Sequence, residues 1–168
     1  MINYSEAEDI EQAARSIVAA LNFSHVDLDR LRFIRSRGSR SRTIIARIHG
    51  LSQIWRQTLD SNLTYIIEVL SEQYDALSKD DKDKIIIHEL LHIPMSFGGG
   101  LRPHRRHVTR RQVEKFHKIY SSVVTSKTQT HIETSDSRTI CEVQDFTLKK
   151  WLQNQFDKLN NCKQEQSM

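Results

Sequence analysis

The sequence predicts an α+β domain in which a small, mostly antiparallel sheet packs on a helix. Three observations carry that reading. Two β-branched runs, Thr43 to His49 and Thr64 to Leu70, read as strands, and amphipathic helical spacing appears before and after them. Between two of the helices lies IPMSFGGGLRP, which holds three of the five glycines and both prolines of an otherwise breaker-poor chain. At 168 residues the chain has the length of one domain. Residues 1–168 are therefore expected to form a single unit, with a core of about 30–124, an N-terminal helix over 5–22 and a C-terminal linker and helix over 125–160.

Taken in order, Ala7, Ile10, Ala14, Ile17 and Leu21 recur at spacings of three and four, which makes one apolar face of a helix from Ser5 to Asn22. Leu31, Phe33 and Ile34 suggest a short strand, and the Gly-Ser-Arg stretch at 36–42 a turn, before the two β-branched runs. Ser78 and Asp81 resemble a capping box, with an acidic side chain in place of the usual Glu or Gln, and Pro94 stops the helix they open near Ile93. Thr109 with Gln112 opens another, to about Val124. A polar stretch around Thr125–Thr139 leads to a last amphipathic helix from Phe146 to about Asn160. Trp55 and Trp151 are expected as core anchors. Tyr65 and Tyr120 are expected as core tyrosines, with assistance to an oxyanion as the less favoured role.

Charge and composition exclude several classes. The apolar runs are a few residues long, against about 20 needed to cross a bilayer. The acidic N-terminus lacks the basic, apolar pattern of a secretory signal. Cys141 and Cys162 are too few for a disulfide scaffold and have no zinc-ribbon spacing, so the expected location is cytoplasmic. The net charge of +4 is unevenly spread: residues 29–56 carry eight arginines against Asp29, and residues 101–118 seven basic residues against Glu114. Such segregation makes the Arg-rich segments 30–47 and 102–111 a candidate surface for nucleic acid, although the simpler reading is a solvated basic face.

The strongest chemical signal is His88-Glu89-Leu90-Leu91-His92 on the helix opened by Ser78. Residues four apart sit one turn above each other, so the two imidazoles converge beside the helix, as zinc ligation requires. Glu89, adjacent to the first histidine, can act as general base on a metal-activated water without binding the metal. A catalytic zinc needs a third protein ligand and one open position. The metzincin pattern would place a histidine six residues beyond His92, where Gly98 stands. The candidates are His104, His107 and Glu114. His104 is favoured, because Gly98 to Gly100 let the chain reverse and Pro103 stiffens the return. Glu114, on the next helix, would give a gluzincin-like arrangement. His117 and His131 read as surface histidines.

The succession RSRGSRSRTIIARIHGL, TYIIEVLSEQYDALS and IIIHELLHIPMSFGGGLRPH resembles a metallopeptidase family found in archaea and phages, over about residues 30–124. The resemblance implies a compact zincin-like α+β fold, with His88 and His92 as metal ligands, Glu89 as the catalytic group and a loop histidine, matched to His104, as third ligand. In zincins an edge strand binds the extended substrate, and Thr43 to His49 is the expected edge strand here. The function expected is a zinc-dependent metallopeptidase acting on a protein or peptide. The alternative is a basic, nucleic-acid-associated protein whose structural zinc His107 would close as a fourth ligand.

Overall fold

The computed structural model describes residues 1–129. Strand β1 (Asn3–Glu6) leads into helix α1 (Glu8–Leu21), then β2 (Leu31–Arg37), β3 (Ala46–Gly50), the short α2 (Gln53–Thr58), β4 (Tyr65–Leu70), the single turn α3 (Ser71–Tyr74), α4 (Lys79–Leu91), the single turn α5 (His104–His107) and α6 (Arg110–Gln129). Residues 125–129 of the expected C-terminal linker instead continue α6, and the rest of that linker and the last helix, with Trp151, His131 and both cysteines, lie outside the described residues. Among the described residues no helix is long and apolar enough to cross a membrane.

The sheet order is β1-β2-β4-β3, with β2 and β4 parallel and the two outer pairings antiparallel. The expected α+β architecture with a small, mostly antiparallel sheet is therefore what the chain forms. Strand alternation sorts the side chains. Leu31 and Phe33 on β2 stand opposite Tyr65 and Ile67 on β4, while Ala46 and Ile48 on β3 stand opposite Val69 and Ile67. These residues turn to the face covered by α1 and α4, and α6 closes the other side of both helices. The C-terminal half of α4 is buried around its whole circumference, with Ile85, Ile86, Ile87 and Leu90 fully buried beside His88 and Glu89. Each such side chain contributes about 1.5–3 kcal/mol by leaving water. That helix, which bears the two histidines, is thus the least movable part of the core.

The caps appear where the sequence places them. Ser78 Oγ accepts from the Asp81 N–H at 3.2 Å and donates to its carboxylate at 2.8 Å, and α4 begins at the next residue. The Gln112 N–H donates to Thr109 Oγ1 at 3.3 Å while the Thr109 N–H donates to Gln112 Oε1 at 3.0 Å, a reciprocal box that opens α6.

Four expectations need correction. The first residues do not begin a helix: Tyr4 and Ser5 pair with Ser36 and Arg35, and α1 starts only at Glu8. The strand expected from Thr43 starts at Ala46, because the preceding turn extends, with Ser41 Oγ accepting from the Ile44 N–H at 3.2 Å. Trp55 is no core anchor. It lies 61% exposed on α2 and, with Tyr4, Ile34, Leu59 and Ile66, lines a cavity of about 530 Å³ on the far face of the sheet. His117 is no surface residue, being 7% exposed where α6 meets α4. Tyr65 and Tyr120 are buried as expected.

Much of the basic stretch 29–56 is structural. Arg35 bridges Asp9 at 2.7 Å and Asp75, Arg30 donates to Thr64 Oγ1 at 2.7 Å, and Arg47 pairs with Glu68 at 3.0 Å.

Candidate metal centre

The buried end of α4 presents His88, Glu89 and His92 toward β3 and the glycine-rich loop. His88 Nε2 lies 3.3 Å from His92 Nε2, as expected for imidazoles one turn apart. His104, at the start of α5, completes the group, with its Nε2 3.1 Å from that of His88. The ligand atoms of these three residues all lie within 4.8 Å of one another. Neither alternative joins them: His107 is exposed at the end of α5, and Glu114 on α6 points its carboxylate to Lys84 at 4.0 Å.

Return of the chain to α4 depends on backbone contacts that side-chain patterns do not announce. The Arg102 N–H donates to the His92 carbonyl at 2.7 Å. Tyr65 Oη accepts from the Gly99 N–H and donates to the Gly100 carbonyl, both at 2.8 Å. Arg56 reaches the Gly98 carbonyl at 3.3 Å. Gly99 has φ +90°, a left-handed conformation that favours glycine. At Gly50, the last residue of β3, an added Cβ would collide with the Gly99 carbonyl. Strand and loop can meet this closely only because Gly50 has no side chain.

The donor set fits a metal. His92 Nδ1 is 2.7 Å from the Arg102 carbonyl oxygen, which can only accept, so Nδ1 carries the proton and Nε2 presents a lone pair. An outer hydrogen bond of this kind is what metal-binding imidazoles ordinarily have. Four-coordinate zinc with bonds of about 2.1 Å holds its ligand atoms about 3.4 Å apart, close to the 3.1 and 3.3 Å separations here. Burial, followed by the neighbouring His92 and His104, holds His88 well below the ordinary imidazole range. Burial also lowers His92, and burial with His92 lowers His104 to about 4. All three rings are therefore neutral near pH 7, the state in which imidazole ligates.

Glu89 is 3% exposed. Burial pushes its carboxyl up to about 8, against a backbone hydrogen bond from Ile48 that pulls the other way. A cation at the adjacent nitrogens would offset that burial. The three histidines and Glu89 open into a cleft of about 180 Å³ whose other wall is Ala46, Arg47 and Ile48 of β3, with Leu101 at its end. Among the described residues strand β3 pairs with β4 alone, so its outer edge flanks this cleft, as expected of an edge strand.

Two groups that build this centre were not legible as such. Tyr65 was expected to fill the core or, less favoured, to assist an oxyanion, and not to hold the glycine loop, where its partners lie about 35 residues away. The Arg102 carbonyl, which orients His92, has no side-chain signature at all.

The model of a family described as "Putative phage metallopeptidase" matches residues 2–136. No curated protein and no solved structure matches the chain.

Proposed function

This chain belongs to the phage metallopeptidase family, and on that premise we propose that it is a zinc-dependent peptidase of HExxH type, with His88, His92 and His104 as the metal ligands and Glu89 as the general base. The observation that carries the reading is the convergence of three neutral imidazole Nε2 atoms beside a buried carboxylate. Three ligands leave one position for a substrate or water, and the absence of His107 from the group favours an open site over a closed structural one.

A bound zinc ion would supply Lewis-acid polarisation of the scissile carbonyl and lower the pKa of a water. The chain's own groups do the rest. Strand β3 offers its outer edge to an extended peptide, which backbone hydrogen bonds would hold antiparallel along the cleft. The Glu89 carboxylate takes the proton of the attacking water and passes it to the departing amine nitrogen. The Ile48 N–H holds that carboxylate in place, and the Arg102 carbonyl fixes the His92 ring. The apolar body of α4 excludes bulk water behind the site.

The test is Glu89→Gln. It should retain about one zinc at this centre while hydrolysis of a cleaved peptide falls by at least about a hundredfold, the lower end of what a general base contributes. Full activity in Glu89→Gln would remove the general-base role, and zinc retained at this centre after His88→Ala with His92→Ala would remove the ligand assignment.

A further inference from the structure

A second cluster stands at the other end of α4. Asp80 and Asp83, three residues apart on its first turns, face His117 of α6, and one ligand atom from each lies within 4.8 Å of the other two. The His117 side chain is nine-tenths buried, and among the described residues its Nε2 is shut off from solvent with no hydrogen-bond partner. The Asp80 oxygen nearest to it is 4.0 Å away, beyond hydrogen-bond reach. A buried polar nitrogen without a partner is uncommon in a folded protein, and here it points at two carboxylates.

We propose that Asp80, Asp83 and His117 form a second metal site, which takes a divalent transition-metal cation and fastens the first turns of α4 to α6. Two carboxylates and one imidazole suit a first-row divalent ion such as Zn²⁺, or Mn²⁺ through the carboxylates, whereas Ca²⁺ and Mg²⁺ favour all-oxygen sets. Four residues of helix separate Asp83 from His88, about 7.5 Å of rise for the step of five at 1.5 Å per residue, so the two centres are distinct.

The surrounding charges permit it. Lys79 donates to Asp83 Oδ2 at 2.8 Å, which leaves the other oxygen of that carboxylate, and its own side chain is three-quarters exposed and able to withdraw. Lys84 lies 3.9 Å from Asp81 and 4.0 Å from Glu114, two carboxylates that hold it beside the cluster rather than in it. Asp80 is exposed, so a change of rotamer brings its oxygen to bonding distance while Asp83 and His117 stay packed.

Zinc and manganese titrations of the metal-stripped full chain test this. The wild type should bind two zinc ions per chain. His117→Gln and Asp80→Asn should each lose one of them, through a drop in affinity for that ion of more than the roughly 10–100-fold that follows loss of an outer-sphere partner. The doubly substituted His88→Ala, His104→Ala chain should keep one ion, and its Tm should rise when that ion is added. Asp80 is itself exposed, so Asp80→Asn decides the matter if His117→Gln does not fold. A wild type that binds a single zinc lost with His88 and His104, or a stoichiometry unchanged in Asp80→Asn, overturns the proposal while leaving the first centre standing.

Discussion

Tyr65 on β4 holds the Gly100 carbonyl through its phenolic proton at 2.8 Å, and so ties the middle of the sheet to the loop that delivers His104. The same oxygen receives the Gly99 N–H. Tyr65→Phe should keep the ring in the core and lose both bonds. Its zinc affinity at the first centre should fall by about 10–100-fold, as for loss of other outer-sphere partners. The stability cost should be about 1–3 kcal/mol. Competition with a chromogenic chelator measures the first and urea unfolding the second. Unchanged affinity would show that the loop is held without the phenol.

The choice among third ligands separates by substitution. His104→Ala should lower zinc affinity by orders of magnitude, whereas His107→Ala and Glu114→Ala, whose side chains lie outside the three-histidine group, should change it less than about tenfold. Parallel titrations of the three variants decide, and near-native binding by His104→Ala would defeat the assignment.

Gly50→Ala tests the close approach of β3 to the loop. A methyl group there meets the Gly99 carbonyl, and the strand must yield or the loop must lift. The cost expected is about 1–3 kcal/mol, typical of an overpacked interior. Zinc affinity should fall with it, because the displaced segment leads to His104. Native stability by thermal and urea unfolding would mean that the two backbones have slack.

Acid should weaken the fold through Glu68. Burial raises this carboxyl, but hydrogen bonds from His49 and Ser36 and the charge of Arg47 more than offset it, so its folded pKa lies below the usual 4.5. The stabilisation is therefore present above about pH 4.5 and is lost as pH falls through the lower folded value. Glu68→Gln should lower stability at pH 7 by about 1–3 kcal/mol, the range for hydrogen bonds to a charged group, and flatten the decline between pH 5 and 3. Parallel urea melts at those pH values check it. An identical slope in the two proteins would place the acid sensitivity elsewhere.

What could be read in advance follows from how local each determinant is. Helix α4 is set by Ser78, Asp81 and Pro94 within its own length, so its position and its two histidines were legible to within two residues. Strand β1 was not. Its four residues are all exposed and show no alternation, and only pairing with β2 makes them a strand. Trp55 illustrates the same limit from the other side. Its apolarity suggested burial, but α2 sits where the sheet has no covering helix among the described residues. His117 looked polar in a polar helix, and its burial depends on the contact between α6 and α4. His104 was singled out because three glycines and a proline marked an irregular return, and the fold brings it beside His88 and His92. The groups that secure that return, a tyrosine 35 residues earlier and two backbone carbonyls, belong to tertiary structure alone.

The loop closure by Tyr65 also bears on the order in which the molecule comes together. His88 and His92 are neighbours as soon as one helix turn exists, an event of local chain, whereas His104 arrives only once β4 has found its place beside β2 and the glycines have reached the phenol. Contacts between distant segments form late in folding, after the entropy of closing the intervening chain has been overcome. A chain caught midway thus owns two of its three nitrogens and grips an ion weakly. On the proposed ligand set, tight retention of zinc would accordingly be a mark of the finished sheet, and slow metal release and slow unfolding should share one rate.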